Sequence, residues 1–229
     1  MGRVEGSRNH TYEERRRSLL LRARTRLGQP GASGASLRQL AEACGVSLPT
    51  LRHYFAQRAD LILAVLAENL GDGRPHLAHI STAGQPFAAS IREAVGYIAF
   101  GFDHGLGEIH TVGLTEGLRD PVVGPGFVSL VLEPSIEALQ RRLDVHVAAG
   151  EMRAVNTRHA ALVLLSPVVL LMLHQRELGG AATHPTELRQ FLDDQAEAFV
   201  KGYGVRLKDD GRLKEGRAPT EPSKNRTDR

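Results

Sequence analysis

The chain has 229 residues, 41% of them hydrophobic, with one cysteine and no tryptophan. This is an ordinary globular composition, with core enough for one large or two small domains. The lone Cys44 excludes an intrachain disulfide and fits a reducing, cytoplasmic setting; no signal-peptide-like apolar stretch opens the chain, and the longest apolar run, Ala160 to Leu173, is interrupted by Ser166 and Pro167 and falls short of the ~20 residues a membrane span needs.

Helical periodicity dominates and no alternating strand of useful length occurs, so an all-α fold is expected. Residues 1–10 read as a flexible basic leader, with a minor-groove arm carried by Arg3 and Arg8 as the alternative. Thr11 and Glu14 form a capping-box pattern that opens a helix with Leu19, Leu20, Ala23 and Leu27 on its apolar face, stopped by Gly28 to Gly31. Ser36 caps a short helix running to Cys44. Gly45 breaks it, Ser47 caps the next as far as Phe55, and a fourth runs from Gln57 to Leu70. The stretch from Gly71 to Pro75 marks a boundary between residues 11–71 and a second unit, 76–207. Longer helices follow, over 86–102, 105–118, 122–149 (with a bend at Pro134), 156–178 and 185–201. Residues 208–229 are charged and poor in hydrophobes and are expected to be disordered.

The net charge of +3 hides an asymmetry. Residues 1–60 carry 11 arginines, no lysine and 5 acids, while the remainder carries more acids than bases. The positive end would attract phosphate, although a basic, solvated helix face would look the same by charge alone.

The spacing from Ser36 to Val65 separates these readings. Leu40 and Cys44 share a face, and Ala41 is small where a second helix must cross. Gly45 supplies a positive φ for the turn and Val46 plugs it. Leu51 and Phe55 form an i, i+4 pair. Together these meet the requirements of a helix-turn-helix, whose second helix enters the major groove of double-stranded DNA. Leu48, Pro49, Thr50, Arg52 and His53 are then the outward residues of that helix. Leu48 and Pro49 offer apolar contact, Arg52 reads guanine or holds phosphate, and the hydroxyls of Thr50 and Tyr54 suit phosphate oxygens. Ser36 and Arg38 start the first helix, and Arg58 starts the fourth, where its charge suits a phosphate. Cys44 reads as a buried small hydrophobe in preference to a redox sensor.

From Thr11 to about Leu70, carried by LRQLAEACGVSLPTLRHYF, by Arg58 and by Leu61 to Val65, the chain resembles the DNA-binding domain of the TetR family of repressors. The resemblance implies base reading by Arg38, Leu48, Pro49 and Thr50, and phosphate contacts by Ser36, Ser47, Thr50, Tyr54 and Arg58. It also implies a C-terminal helical domain for dimerisation and effector binding, operator DNA and a small-molecule effector as partners, and no cofactor. Two departures matter. Leu48 stands where Lys is common, and Arg52 where Tyr is frequent, so no relative's operator can be carried over.

In the second unit, Ala161, Leu165, Val168 and Met172, with Leu188, Phe191, Gln195 and Phe199, form two stripes that read either as a homodimer seam or as intrachain core. Reading two half-sites requires two chains, which favours a homodimer. Candidate pocket residues are Tyr97, Phe100, Phe102, His104, His110, Glu116, Phe127, Met172 and His174, an apolar set with few polar groups. The spacing of His104, His110 and Glu116 matches no standard metal site. No nucleophile elbow, phosphate loop or dinucleotide fingerprint is present, and Gly105 with Gly107 makes only a lone Gly-x-Gly, so an enzyme is not expected. The expected function is a ligand-released repressor that binds operator DNA and no membrane. An activator or a general DNA binder is the alternative.

Overall fold

The computed structural model describes residues 5–29, 32 and 34–205. Among them every regular element is helical apart from one isolated bridge between Met152 and Gly204, so the all-α expectation holds. Arg3 and the tail 208–229 lie outside the described residues, as does the side chain of Arg8.

The first helix, α1 (Glu5–Gly28), begins ahead of the predicted capping box. The expected flexible leader is thus helical from Glu5, and Thr11 and Glu14 sit inside the helix, Glu14 pairing with His10 at 3.2 Å. Once a helix has nucleated, each added residue gains a backbone bond, and no proline interrupts this segment. The helices α2 (Leu37–Ala43), α3 (Leu48–Tyr54) and α4 (Arg58–Asp72) follow as expected. The sequence reading missed α5 (Arg74–Ser81). Gly73 serves as the joint and Pro75 lies in the first helical turn, where its missing N–H costs nothing.

Beyond it come α6 (Phe87–Gly101), α7 (Gly107–Gly117), α8 (Val123–Phe127), α9 (Glu133–Ala148), α10 (Thr157–Met172), α11 (Gly180–Thr183) and α12 (Leu188–Tyr203). A kink at Phe102–Leu106, where Gly105 takes φ +99°, joins α6 to α7, and wider π-helical turns at Val128–Leu132 and Leu173–Glu177 join α8 to α9 and extend α10. The expected long helix over 122–149 runs continuously as α8, the wide turn and α9. Pro134 crowds the carbonyl four residues back, at Leu130, and the wide turn falls on that residue. Pro167 acts differently. It frees the carbonyl of Val163, which instead accepts a bond from the Gln195 side chain of α12 at 3.3 Å.

Two cores result. One is a bundle of α5, α6, α9, α10 and α12 around Ile91, Ile98, Leu139, Leu143, Leu164 and Val168. The other gathers Leu20, Leu40, Leu51, Leu61 and Ile62 from α1 to α4 but also takes Ile109, Val112, Val123 and Phe127 from α7 and α8. The boundary at Gly71 to Pro75 divides the chain without dividing the packing. Within the bundle, the fully buried Arg142 donates to the carbonyls of His79 and Ile80 (2.9 and 2.7 Å) at the C-terminus of α5, and to Ser90 of α6.

The α10 stripe resolves in favour of core: Ala161, Leu165, Val168 and Met172 are all buried within the chain, as is Phe199 of α12. Turned about one residue around α10, Leu162, Val163, Ser166 and Leu170 are exposed, with Phe191 and Gln195 of α12 half-buried. The 21 helical residues Thr157–Glu177 are long and apolar enough to cross a membrane, which the apolar run alone did not suggest. Their inner face is nonetheless packed on α6, α9 and α12 of the same chain.

Candidate functional site

The helix-turn-helix is built by its caps and its turn. Ser36 accepts from the Gln39 backbone N–H, and the Gln39 side chain accepts in return from the Ser36 N–H at 2.8 Å. Ser47 does the same service for α3 by accepting from the Thr50 N–H at 3.2 Å, and its hydroxyl pairs with that of Thr50 at 2.8 Å. Gly45 adopts φ +70°, a conformation that side-chain-bearing residues rarely hold, and the turn is tied to α1 through Arg22, which donates to the Cys44 carbonyl at 2.8 Å. Leu40, Ala41, Leu51 and Phe55 are buried beneath it. Cys44 is buried too, its Sγ 3.6 Å from the Leu19 carbonyl, and burial pushes its thiol pKa up.

This scaffold leaves Ser36, Arg38, Ser47, Pro49, Thr50, Arg52 and His53 exposed. Leu48 and Tyr54 are half-buried, and Tyr54 stacks on Tyr12 of α1 at 4.7 Å. The positive charge read from the sequence is partly consumed inside the chain. Arg17 pairs with Glu68 and Asp72, and Arg24 pairs with Glu108.

Arg58 calls for a correction. Its guanidinium does not stand ready for a phosphate. It grips both oxygens of Glu116 at 2.7 Å and donates through Nε to the Ala35 carbonyl at 2.6 Å. A charge held in a two-pronged carboxylate pair is geometrically committed. Glu116 is corrected with it, because it faces the DNA-binding unit and is not among the residues lining the bundle cavity described below.

The partner of that grip, α7, presents a different job on each face. Ile109, Val112 and Glu116, spaced by three and four residues, pack on the N-terminal core or pair with Arg58. Glu108 accepts from Arg24 at 2.8 Å, and Arg24 also donates to the Gly105 carbonyl at 2.9 Å. Gly113 leaves room for the Phe127 ring, which a Cβ there would strike. On a further face, His110 lines a narrow cavity of about 20 Å³ between α5, α6, α9 and α10.

Among the sequence candidates, Phe102 and His110 line this cavity. Phe100 and Met172 instead border a shallow groove of about 390 Å³ between α6 and α12. Tyr97 stacks on His76 and Phe100, and His104 stacks on Phe100 at 3.8 Å. Phe127 belongs to the N-terminal core, with His110 edge-on to it at 5.8 Å. His174 accepts from the Gln175 amide at 2.7 Å. His104, His110 and Glu116 therefore point to three separate environments. Sequence reasoning missed His76, Ile80, Ser135 and Leu139 of the cavity. Leu77 and Ile80 three residues apart behind Pro75 were the available sign of a helix carrying the first two.

Both cavity histidines are held below the usual imidazole range. Burial lowers the pKa of His110, opposed by its bond to the Leu106 carbonyl; burial lowers that of His76, helped by the neighbouring His79 and His104.

Comparison with known proteins follows this division. The family model for bacterial regulatory proteins of the tetR family matches residues 19–65, and that for the AefR-like transcriptional repressor C-terminal domain matches residues 91–205. No curated protein matches the sequence significantly. Among solved structures, a putative TetR-family regulator from Mesorhizobium loti is 18% identical, with 89% of this chain and 100% of that chain covered at a TM-score of 0.69. The Bacillus halodurans fatty acid degradation regulator FadR is 14% identical, covering 81% and 94% at 0.63. SmeT, the repressor of a Stenotrophomonas maltophilia multidrug efflux pump, is 14% identical, covering 91% and 96% at 0.58.

Proposed function

Because the chain belongs to the tetR family of bacterial regulatory proteins, we propose that it is a cytoplasmic homodimeric repressor, seated on a palindromic operator and released by a small molecule. Family membership makes it a DNA-binding transcriptional regulator and not an enzyme. The operator face is the exposed set on α2 and α3. Arg38, Pro49, Thr50 and Arg52 meet base edges, with His53 and Leu48 beside them, and Ser36, Ser47 and Tyr54 meet the backbone. The dimer face is the exposed apolar stripe of Leu162, Val163 and Leu170 with Phe191, which a second copy would cover.

The observation that carries the effector reading is the position of α7. One face of it lines the cavity, and the others hold Arg24 of α1 and Arg58 of α4. Ligand sites of drug size run to roughly 300–1,000 Å³, so a molecule entering a cavity of about 20 Å³ must push its walls apart. Two of those walls are α5, which continues directly from α4, and α7, which grips it. A ligand that prefers the opened form disfavours the spacing the operator needs. A coupling of about 1–3 kcal/mol would change operator affinity by about 5- to 150-fold.

The test is selection of random duplexes bound by the purified protein, followed by sequencing. A palindromic consensus is expected. Binding without sequence enrichment would overturn the operator reading in favour of a general DNA binder.

A further inference from the structure

The chemistry of the cavity wall restricts what can occupy it. None of its lining side chains carries a formal charge at neutral pH; the walls are hydrocarbon, such as Ile98, Leu139 and Leu165, broken by His76, His110 and Ser135. The Ser135 hydroxyl already donates to the Val131 carbonyl at 3.2 Å. That hydroxyl can still accept, and each of the two imidazoles adds a nitrogen without a hydrogen-bond partner among the described residues.

For His110 the tautomer follows from its partner. Its Nδ1 lies 2.8 Å from the Leu106 carbonyl, and a carbonyl oxygen can only accept, so Nδ1 carries the proton. In the neutral ring Nε2 is then a bare acceptor. Phe102 and Phe127 flank the ring and keep it nearly fully buried. For His76 the Nε2 atom is itself buried and finds no hydrogen-bond partner among the described residues. Its ring is pinned by stacking on Tyr97 at 4.5 Å. Buried polar atoms are rarely left unpaired, because water would have satisfied them in the unfolded chain.

We propose that the ligand of this cavity is a neutral, largely hydrocarbon molecule with one hydroxyl group, which donates to His110 Nε2 and accepts from His76 held in its Nε2–H tautomer. This rests on the reading of the cavity as the effector site. A hydroxyl both gives and takes a hydrogen bond at a single atom. A carboxylate or phosphate would enter an apolar site with no cation to meet it, and an ammonium would find no carboxylate. A methyl ether of the same skeleton keeps the hydrocarbon contacts and cannot donate. Sites built to pair a hydroxyl reject such analogues more sharply than hydrocarbon pockets reject a missing methylene.

The experiment is calorimetric titration of the full-length protein at mildly alkaline pH, where both rings are neutral. The probes are matched sets of alcohol or phenol, methyl ether and carboxylate, built on aromatic, alicyclic and straight-chain skeletons (para-ethylphenol, para-ethylanisole and para-ethylbenzoate are the first set). At least one hydroxylated member should bind at least about tenfold tighter than its ether, with no binding of its carboxylate. His110→Leu and His76→Phe, each checked for native helicity, should bring the alcohol down to the affinity of its ether while the ether still binds. Equal binding of a carboxylate, failure of every hydroxylated probe, or hydroxyl preference surviving both substitutions would overturn the proposal.

An operator-release assay separates this from the reading beneath it. Release by compounds that show no hydroxyl preference leaves the regulator standing and overturns the proposal. Hydroxyl-selective binding that depends on both histidines and leaves operator affinity unchanged supports the proposed ligand chemistry and overturns its effector role.

Discussion

The bundle core closes on itself, whereas the N-terminal core borrows one wall from the other half of the chain. Every side chain of the first comes from α5 or later. The second is finished by Ile109, Val112, Val123 and Phe127, all well beyond Asp72, where the last helix of the DNA-binding unit ends. The difference teaches where a signal can cross. A helix-turn-helix with its own complete core could ride a flexible linker and ignore its neighbour. Here the DNA-binding unit cannot be fully packed unless α7 is in place, so movement of α7 is felt in the fold of the part that touches DNA.

The comparison breaks most severely at Glu116. Glu116→Ala strips a buried carboxylate from Arg58 and should cost about 3–5 kcal/mol, the range for removing one member of a buried pair. Urea denaturation measures it, and a double-mutant cycle with Arg58→Ala should show strong coupling; additive losses would mean that the two residues do not work as a unit.

Truncating one residue of each core sharpens the contrast. Ile109→Ala and Ile91→Ala each delete a fully buried side chain and should cost about 2–5 kcal/mol. Hydrogen exchange tells them apart. Ile109→Ala should lower protection in α2 to α4 as well as in α7, while Ile91→Ala should spare the helix-turn-helix. Equal spread of the two effects would show a single cooperative core.

A smaller effect is expected at the exposed face. Arg38→Ala should lose about 1–3 kcal/mol on the selected operator with much less loss on random duplex, if Arg38 reads a base in bidentate fashion. Equal losses on both would reassign it to the phosphate backbone. Arg58→Ala, by contrast, should act mainly through stability, because its charge is occupied by Glu116.

The mildest test is pH. His110 and His76 have folded-state pKa values below the usual 6.5, so the unfolded chain takes up protons first as the solution is acidified. Their contribution to stability is intact above the unfolded value and is lost as pH falls below it. His110→Leu should flatten that slope in a series of melts, and an unchanged slope would place the acid sensitivity elsewhere.

Legibility in the sequence follows the range of the interactions involved. The helix-turn-helix could be read because its determinants are local. The caps Ser36 and Ser47, the turn at Gly45, and the pair Leu51 and Phe55 all lie within twenty residues of one another. Arg58 was misplaced because local pattern shows a cation at a helix start, whereas its partner is 58 positions away. The cavity was only partly legible for a related reason. Gly71 to Pro75 carries the composition of a linker, yet it hinges α4 to a helix that supplies His76 and Ile80. On α10, periodicity identified an apolar stripe, but both faces of that helix are apolar, and only the packing tells which is turned inward.

The burial of Cys44 makes the protein its own probe. As the only thiol in the chain, it sits beneath the turn that orients the recognition helix, against the Leu19 carbonyl. A thiol-specific reagent can reach it only through a local opening of that unit, so the labelling rate of unmodified protein counts how often the helix-turn-helix comes apart. Operator should slow that clock. An effector that works by loosening the shared wall should speed it, and one that merely respaces two intact units should leave it unchanged.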